Sequence, residues 1–438
     1  MTPLRLLPLS LALGAAFAAP AQAQSLLELY ESARTYDASY QSAKAQYDAN
    51  LARAQQAKAG ILPSANLSAN ASRTNSEVKD PPSERDFNSR SATVSAAQPL
   101  FRPANFATWE QGKKQVALAE AQLTVASQDL IIRVSQAYFD VLAAQDTLTF
   151  VRAQKTAVAE QLASAKRNFE VGTSTITDSR EAQARFDLVV AQEIAADNDL
   201  RVKKLALDNL VGKANAAPKP LATPVVLPAI SPDSVEQWVQ QAEEASPAIL
   251  QSRTNLDVAR LETEKAKAGH LPTLDLTASY SQSRSPNNLT GVQTRSNNTT
   301  VGLQFNLPLF AGFATQNRIK ETLSLEEKAQ ADLEATRRAV GQGTRSAFFG
   351  VVSGLSQVKA LEASEQSSQL ALDANKLGYQ VGVRINIDVL NSQSQLFQTK
   401  RDLAQARYNV LLGSLRLRQA NGTLKPEDLQ GVNAVLVK

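Results

Sequence analysis

The chain carries apolar residues at heptad spacing in two long stretches, and alternates apolar with polar residues in four short ones. In the first long stretch Val116, Leu123, Leu130, Ala137, Ala144, Val151, Val158 and Ala165 recur every seven residues. Four positions on, Val134, Val141, Leu148, Leu162 and Phe169 recur at the same interval, interrupted by Lys155. This spacing predicts coiled-coil seams on a helix over roughly 103–169, about 100 Å long at 1.5 Å per residue. A less regular copy covers roughly 312–379. The short stretches are 64–72, 91–98, 273–280 and 300–307. In 300–307, Val301, Leu303, Phe305 and Leu307 fall on one side and Gly302, Gln304 and Asn306 on the other. A period of two predicts strands with one apolar face; 91–98 shows it most weakly.

These elements are written twice. "KAGILP" (58–63) returns as "KAGHLP" (267–272), "PLF" (99–101) as "PLF" (308–310), and "AYF" (137–139) as "AFF" (347–349), each 209 or 210 residues on. "FEVGTSTITDSR" (169–180) returns as "YQVGVRINIDVL" (379–390). Each half therefore reads helix, two strands, long helix, turn, helix. The first repeat covers 24–216 with its turn at 170–177; the second covers 233–438 with its turn at 380–387. The Pro-rich segment 217–232 joins them as an extended linker. Gly172 and Gly382 supply the positive φ that a helix C-terminus favours. Asp178 and Asp388 open the return helices, and "DSRE" (178–181) suits a capping pattern with Glu181.

Composition narrows the function. Residues 1–23 combine Arg5, an apolar run and Ala21-Gln22-Ala23, which predicts a cleaved secretory signal peptide. The chain has no Cys, 1 Met and 1 His, leaving little material for thiolate metal sites or His-based catalysis. The lone His270 has Ile61 as its repeat counterpart, so an enzyme reading has nothing to stand on, and no cofactor or metal site is expected. The 46 basic and 42 acidic residues form no basic run, so nucleic acid is not an expected partner. No later stretch reaches the roughly 20 apolar residues of a spanning helix. If the chain crosses a membrane, strands do it. The alternating segments and the polar stretches between them (73–88 and 282–297, expected as exposed loops) match outer-membrane strands. A small soluble sheet is the alternative, but the opposite faces are uncharged Ser, Thr, Asn and Gln, and nothing in the chain looks like a covering layer.

Four strands cannot close a membrane sheet, because an open edge leaves amides unpaired in hydrocarbon, and the smallest such barrels have about eight. The seams of a long helical hairpin also need neighbours. Both requirements call for a symmetric ring of identical chains.

The double repeat, the "AGxLP" motif before the strands, the "PLF" motif before the long helices and the turn "YQVGVRINIDVLNSQ" resemble the TolC family of outer-membrane efflux proteins over essentially the whole mature chain. The resemblance implies a mixed α and transmembrane β fold. A homotrimer builds one twelve-stranded β-barrel, four strands per chain, continuous with a long α-helical coiled-coil barrel. It places the protein in the outer membrane, spanning into the periplasm, with outer-membrane lipid, a periplasmic adaptor and an inner-membrane pump (proton-driven or ABC-type) as partners. It implies a passive exit duct for efflux or type I secretion. The family pattern sets Tyr379 and Arg384 against Thr177 and Asp178 as a periplasmic gate, puts Asp388 at the pore constriction, and assigns adaptor docking to Val171, Gly172, Val381 and Gly382. Asn391 stands where a second acidic ring is expected. The main rival is a periplasmic adaptor with a coiled-coil hairpin, which would carry one hairpin rather than two; a trimeric adhesin stalk would lack the duplication.

Overall fold

The computed structural model describes residues 23–286 and 292–437. Except for Ala23, the signal segment lies outside them. The duplication read from sequence is the organisation of the fold. The first half runs α1 (Leu26–Tyr36), α2 (Ala38–Ala59), β1 (Ser64–Lys79), β2 (Pro82–Phe101), α3 (Pro103–Glu170) and α4 (Ile176–Val211). The second runs α5 (Val235–Ala245), α6 (Pro247–Lys267), β3 (Thr273–Pro286), β4 (Gln293–Asn306), α7 (Ala314–Gln380) and α8 (Asn386–Ala420), followed by α9 (Asp428–Asn433). The opening helix of each half is broken. In the first, Asp37 is extended and its Oδ1 accepts from the Tyr40 amide at 2.8 Å, restarting the helix. In the second, Ser246 is extended because Pro247 follows it. Among the described residues no helix is long and apolar enough to cross a membrane.

The chain divides into two compact units. One comprises Lys44–Leu123 and Pro247–Arg338 and contains the antiparallel sheet, in the order β1-β2-β3-β4. The register puts Leu67, Val94 and Tyr280 in one cross-strand row and pairs Leu276 with Leu303 and Leu274 with Phe305 on the same face. Apart from half-buried Leu274 these apolar side chains are exposed, Leu67 to 75%, and so is Val301 on the same face, to 69%. The other face carries Asn66, Ser68, Thr93, Ser279 and Thr300. At the foot of the sheet Arg102 Nε donates to Oδ1 of the buried Asp275 at 2.8 Å.

The strands are longer than the alternation suggested. β1 and β2 stay paired from Ser64↔Ala97 to Lys79↔Pro82, and β3 and β4 to Pro286↔Gln293, so most of 73–88 and of 282–297 is strand rather than loop. Apart from Val78 and Phe87 these extensions are polar on both faces, which erases the period-two signal without removing the ladder.

Among the described residues the second unit comprises 23–43, Thr124–Ser246 and 339–437. Its helices pack through the heptad positions: Leu130, Val134, Val141, Val151, Val158 and Ala165 are all nearly fully buried. Lys155, which interrupts the seam, donates to Glu193 Oε2 on α4 at 2.7 Å, and Arg152 Nε reaches Oε1 at 3.2 Å. The seam thus changes from apolar packing to an ion pair at that level, and Lys155 holds the Glu193 carboxyl below its ordinary range. The linker is tied to both chain ends. Gln24 bridges Pro218, Leu221 bridges Leu436, and Tyr138 Oη donates to the Lys219 carbonyl at 2.9 Å.

The two turns share one C-terminal geometry. At the first, the Thr173 amide reaches back to the Asn168 carbonyl at 2.8 Å and the Gly172 amide to Phe169 at 3.0 Å; at the second, Val383 reaches Gly378 at 2.9 Å and Gly382 reaches Tyr379 at 3.2 Å. This is a Schellman closure, and it needs the left-handed φ of +76° at Gly172 and +81° at Gly382. The helix starts differ. Asp178 is the third residue of α4, not its cap, and Glu181 takes no part. The cap is Thr175, whose Oγ1 accepts from the Asp178 amide at 3.2 Å while Asp178 Oδ2 accepts from the Thr175 amide at 3.0 Å. In the second copy Ile385 stands at the cap and makes no side-chain bond. The turns themselves are shorter than expected, 171–175 and 381–385 rather than 170–177 and 380–387.

The Ser174 hydroxyl, followed by the Thr175 amide, holds the Asp178 carboxyl below its ordinary range. The stabilisation is fully present above the usual carboxylate pKa and is lost as pH falls through the lowered native value. Thr175→Ala is expected to cost about 1 kcal/mol locally, read as faster hydrogen exchange at the first turn of α4. Acidification below the carboxylate range is expected to do the same at α4.

Candidate functional site

The candidate site lies where the two turns meet, within the second unit. The first hairpin tip is built by α3, its turn and α4, and the second by α7, its turn and α8. A buried cluster of Val158, Leu162, Ala165, Ala182, Val189 and Leu390 joins them, with one contributor from α8 among residues of α3 and α4. Leu372, Val389 and Leu396 form a second cluster against which Tyr379 packs.

Three polar links cross between the tips. Asn386, fully buried at the start of α8, donates to the Asp178 carbonyl at 3.3 Å and accepts from Gln161. Asn168 Nδ2 donates to Tyr379 Oη at 3.1 Å. Arg185 donates to Asn391 Oδ1 at 3.0 Å. Sequence reasoning did not single out Asn386, Asn168, Gln161 or Arg185. The signal available for two of them was divergence between the repeats, since Asn386 corresponds to Ile176 and Asn168 to Gly378.

The residues assigned to the site by resemblance are all at the tips. Within one chain, neither Tyr379 nor Arg384 bonds Thr177 or Asp178. Asp178 is occupied by its own turn, where Ser174 Oγ donates to Oδ2 at 2.6 Å. Thr177 is exposed. Arg384 is exposed and lies 3.6 Å from Asp388, one helical turn on. Asp388 is thus the uncapped counterpart of Asp178, with a cation as its neighbour rather than a hydroxyl cage. Asn391 is held by Arg185.

Val171, Val381 and Val383 are 73%, 66% and 75% exposed, and Ile385 is exposed beside them. Together they form an apolar fringe at a polar, charged turn. Among the described residues no group of acidic, His or Cys side chains could hold a metal ion.

The Outer membrane efflux protein family matches this chain twice, over residues 29–213 and 238–423, which are the two halves of the duplication. The outer membrane protein TolC of Vibrio cholerae is 34% identical over 99% of this chain and 98% of its own length. The proteases secretion protein PrtF of Dickeya chrysanthemi is 31% identical over 94% of this chain and 91% of its own. The crystal structure of the outer membrane protein VceC from Vibrio cholerae superposes with a TM-score of 0.77 at 20% identity, covering 91% of this chain and 96% of that one. The chain belongs to the outer membrane efflux protein family, and is an outer-membrane protein that extends into the periplasm.

Proposed function

We propose that this protein is a passive exit duct for efflux or type I secretion, assembled as a homotrimer, gated at its tips, and recruited by a periplasmic adaptor and an inner-membrane pump. The carrying observation is the tip itself: the two hairpins are stapled together by buried Asn386, while exposed Arg384 faces an uncapped Asp388 beside an apolar fringe. The trimer rests on the free edges of β1 and β4, since twelve strands from three chains close what four leave open. Polypeptide cargo is supported by the name of the relative that secretes proteases. The rival adaptor reading has no support in a family match that covers both halves.

Gating on this reading involves Tyr379, Arg384, Thr177 and Asp178 of neighbouring tips. Opening separates the tips while the Schellman turns and the Asn386 staple stay intact. Asp388 supplies the carboxylate of the constriction, and Asn391, bonded to Arg185, supplies none. Strong block by multivalent cations is therefore not expected. Val171-Gly172 and Val381-Gly382 form the adaptor's docking points.

In planar bilayers, Arg384→Ala or Tyr379→Phe is expected to raise the conductance of the trimer several-fold; no change in either variant removes the gate assignment. Ion selectivity gives a second check with opposite signs. Asp388→Ala is expected to lower cation preference, whereas Arg384→Ala frees the Asp388 carboxylate and is expected to raise it. Reversal potentials in a salt gradient measure both. Replacing exposed Val171 and Val381 with Asp is expected to abolish adaptor cross-linking at the tip while leaving the heat-resistant oligomer unchanged on gels.

A further inference from the structure

Three arginines stand side by side on the sheet. The register aligns Ala71, Arg90, Arg284 and Arg295 in one row across all four strands. Strands lie about 4.8 Å apart, so the three stems fall within about 10 Å. Like charges directly opposite one another are unfavourable. Among the described residues no ion pair neutralises any of them. Arg73, on the same face and one row further along β1, provides the contrast, because it is paired with Asp86.

The row has a definite place relative to the apolar face. Residues an even number apart share a face of a strand. Arg284 is therefore on the side of Leu274, Leu276 and Tyr280, and Arg295 on the side of Val301, Leu303 and Phe305. Below the arginine row the opposite face is predominantly Ser, Thr, Asn and Gln, so this side meets lipid. From Leu274 to Arg284 is ten residues, or about 33 Å along the strand, which at a tilt near 40° gives about 25 Å of height. That is the height of the apolar band of an outer-membrane barrel. The row sits at its upper edge, at the hairpin ends remote from α3 and α7, hence at the outer leaflet. Between the arginines and the apolar band lies a groove of about 400 Å³ floored by Ala69, Ala71 and Ala92, with no acidic residue in its lining.

We propose that Arg90, Arg284 and Arg295 form a binding site for the phosphorylated sugar headgroup of an outer-leaflet glycolipid. Guanidinium pairs with phosphate bidentately, and three donor forks in a row suit a headgroup with more than one phosphate. The small alanine floor leaves room for the sugar, and the exposed apolar rows below it accommodate the acyl chains. The site rests on the membrane placement of the sheet and is independent of gating at the tips.

The test uses the full oligomer in lipid nanodiscs with bisphosphorylated lipid A, the same lipid enzymatically dephosphorylated, and inorganic phosphate. Native mass spectrometry counts lipid retained per oligomer. Wild type is expected to retain the bisphosphorylated lipid, and both the triple variant Arg90→Gln, Arg284→Gln, Arg295→Gln and the dephosphorylated lipid to weaken retention by at least about tenfold. Arg73→Gln is expected to retain it fully. Equal retention in the triple variant, equal retention of the dephosphorylated lipid, or displacement by millimolar inorganic phosphate alone overturns the proposal. If the triple variant does not assemble, the dephosphorylated lipid on wild type decides.

Discussion

A sheet with free edges cannot rest in hydrocarbon, and this one has two. Among the described residues β1 pairs only with β2, and β4 only with β3. Unpaired amides in lipid each cost several kcal/mol, so the apolar face of this sheet has no stable home until another chain supplies the missing partners. The duplication shows how that is solved. Each half contributes one hairpin, and the β2–β3 junction inside the chain joins the second strand of one repeat to the first strand of the next. The free edges are again the second strand of a repeat (β4) and the first strand of a repeat (β1). A junction between chains can therefore copy the one within the chain, with the same antiparallel sense and the same row-by-row register.

The two repeats keep the same backbone at the tips and diverge in charge. Both turns close through the same pair of backbone bonds and the same left-handed glycine. Two adjacent positions, Ser174 and Thr175 in the first repeat against Arg384 and Ile385 in the second, decide what the acidic residue does next. Thr175 engages Asp178 in a capping box, so that carboxylate is spent on the backbone. Ile385 offers no hydroxyl, and Asp388 is left to face Arg384. One copy of the motif is structural, and the other keeps a charged pair at the surface.

Much of this was legible in the sequence. The order of elements, the heptad seams, the glycine turns and the duplication all rest on local patterns that a single chain displays. What was not legible depends on partners distant in sequence. Lys155 reads as a flaw in a heptad until Glu193 is seen opposite it. The strand extensions at 73–79 and 82–88 read as loop because alternation marks a boundary between two media, and apart from Val78 and Phe87 both faces there are polar. Asp178 reads as a cap because it precedes a helical stretch, whereas the true cap lies three residues earlier. Asn386 and Arg185 act across hairpins, where no spacing rule applies.

The energetics of the tip favour a device that a partner can shift. On the gating reading, what holds neighbouring tips together is a set of exposed polar contacts of the Arg384 kind, each worth roughly 0–1 kcal/mol and weakened further by salt. Burying one exposed valine contributes about 1.5–3 kcal/mol. Val171, Val381 and Val383 offer three such side chains per chain. Even after the entropy of ordering the turn is charged against it, covering two of them outweighs several surface ion pairs. The buried staple through Asn386 lies on the other side of that balance, since breaking it leaves an amide unsatisfied in a closed interior at a cost of about 1–3 kcal/mol. On that reading docking outweighs the surface pairs between neighbouring chains, whereas the two hairpins of one chain are held by the Asn386 staple together with the buried packing of Leu390 against Val158, Leu162, Ala165, Ala182 and Val189, so the hairpin pair moves as a unit.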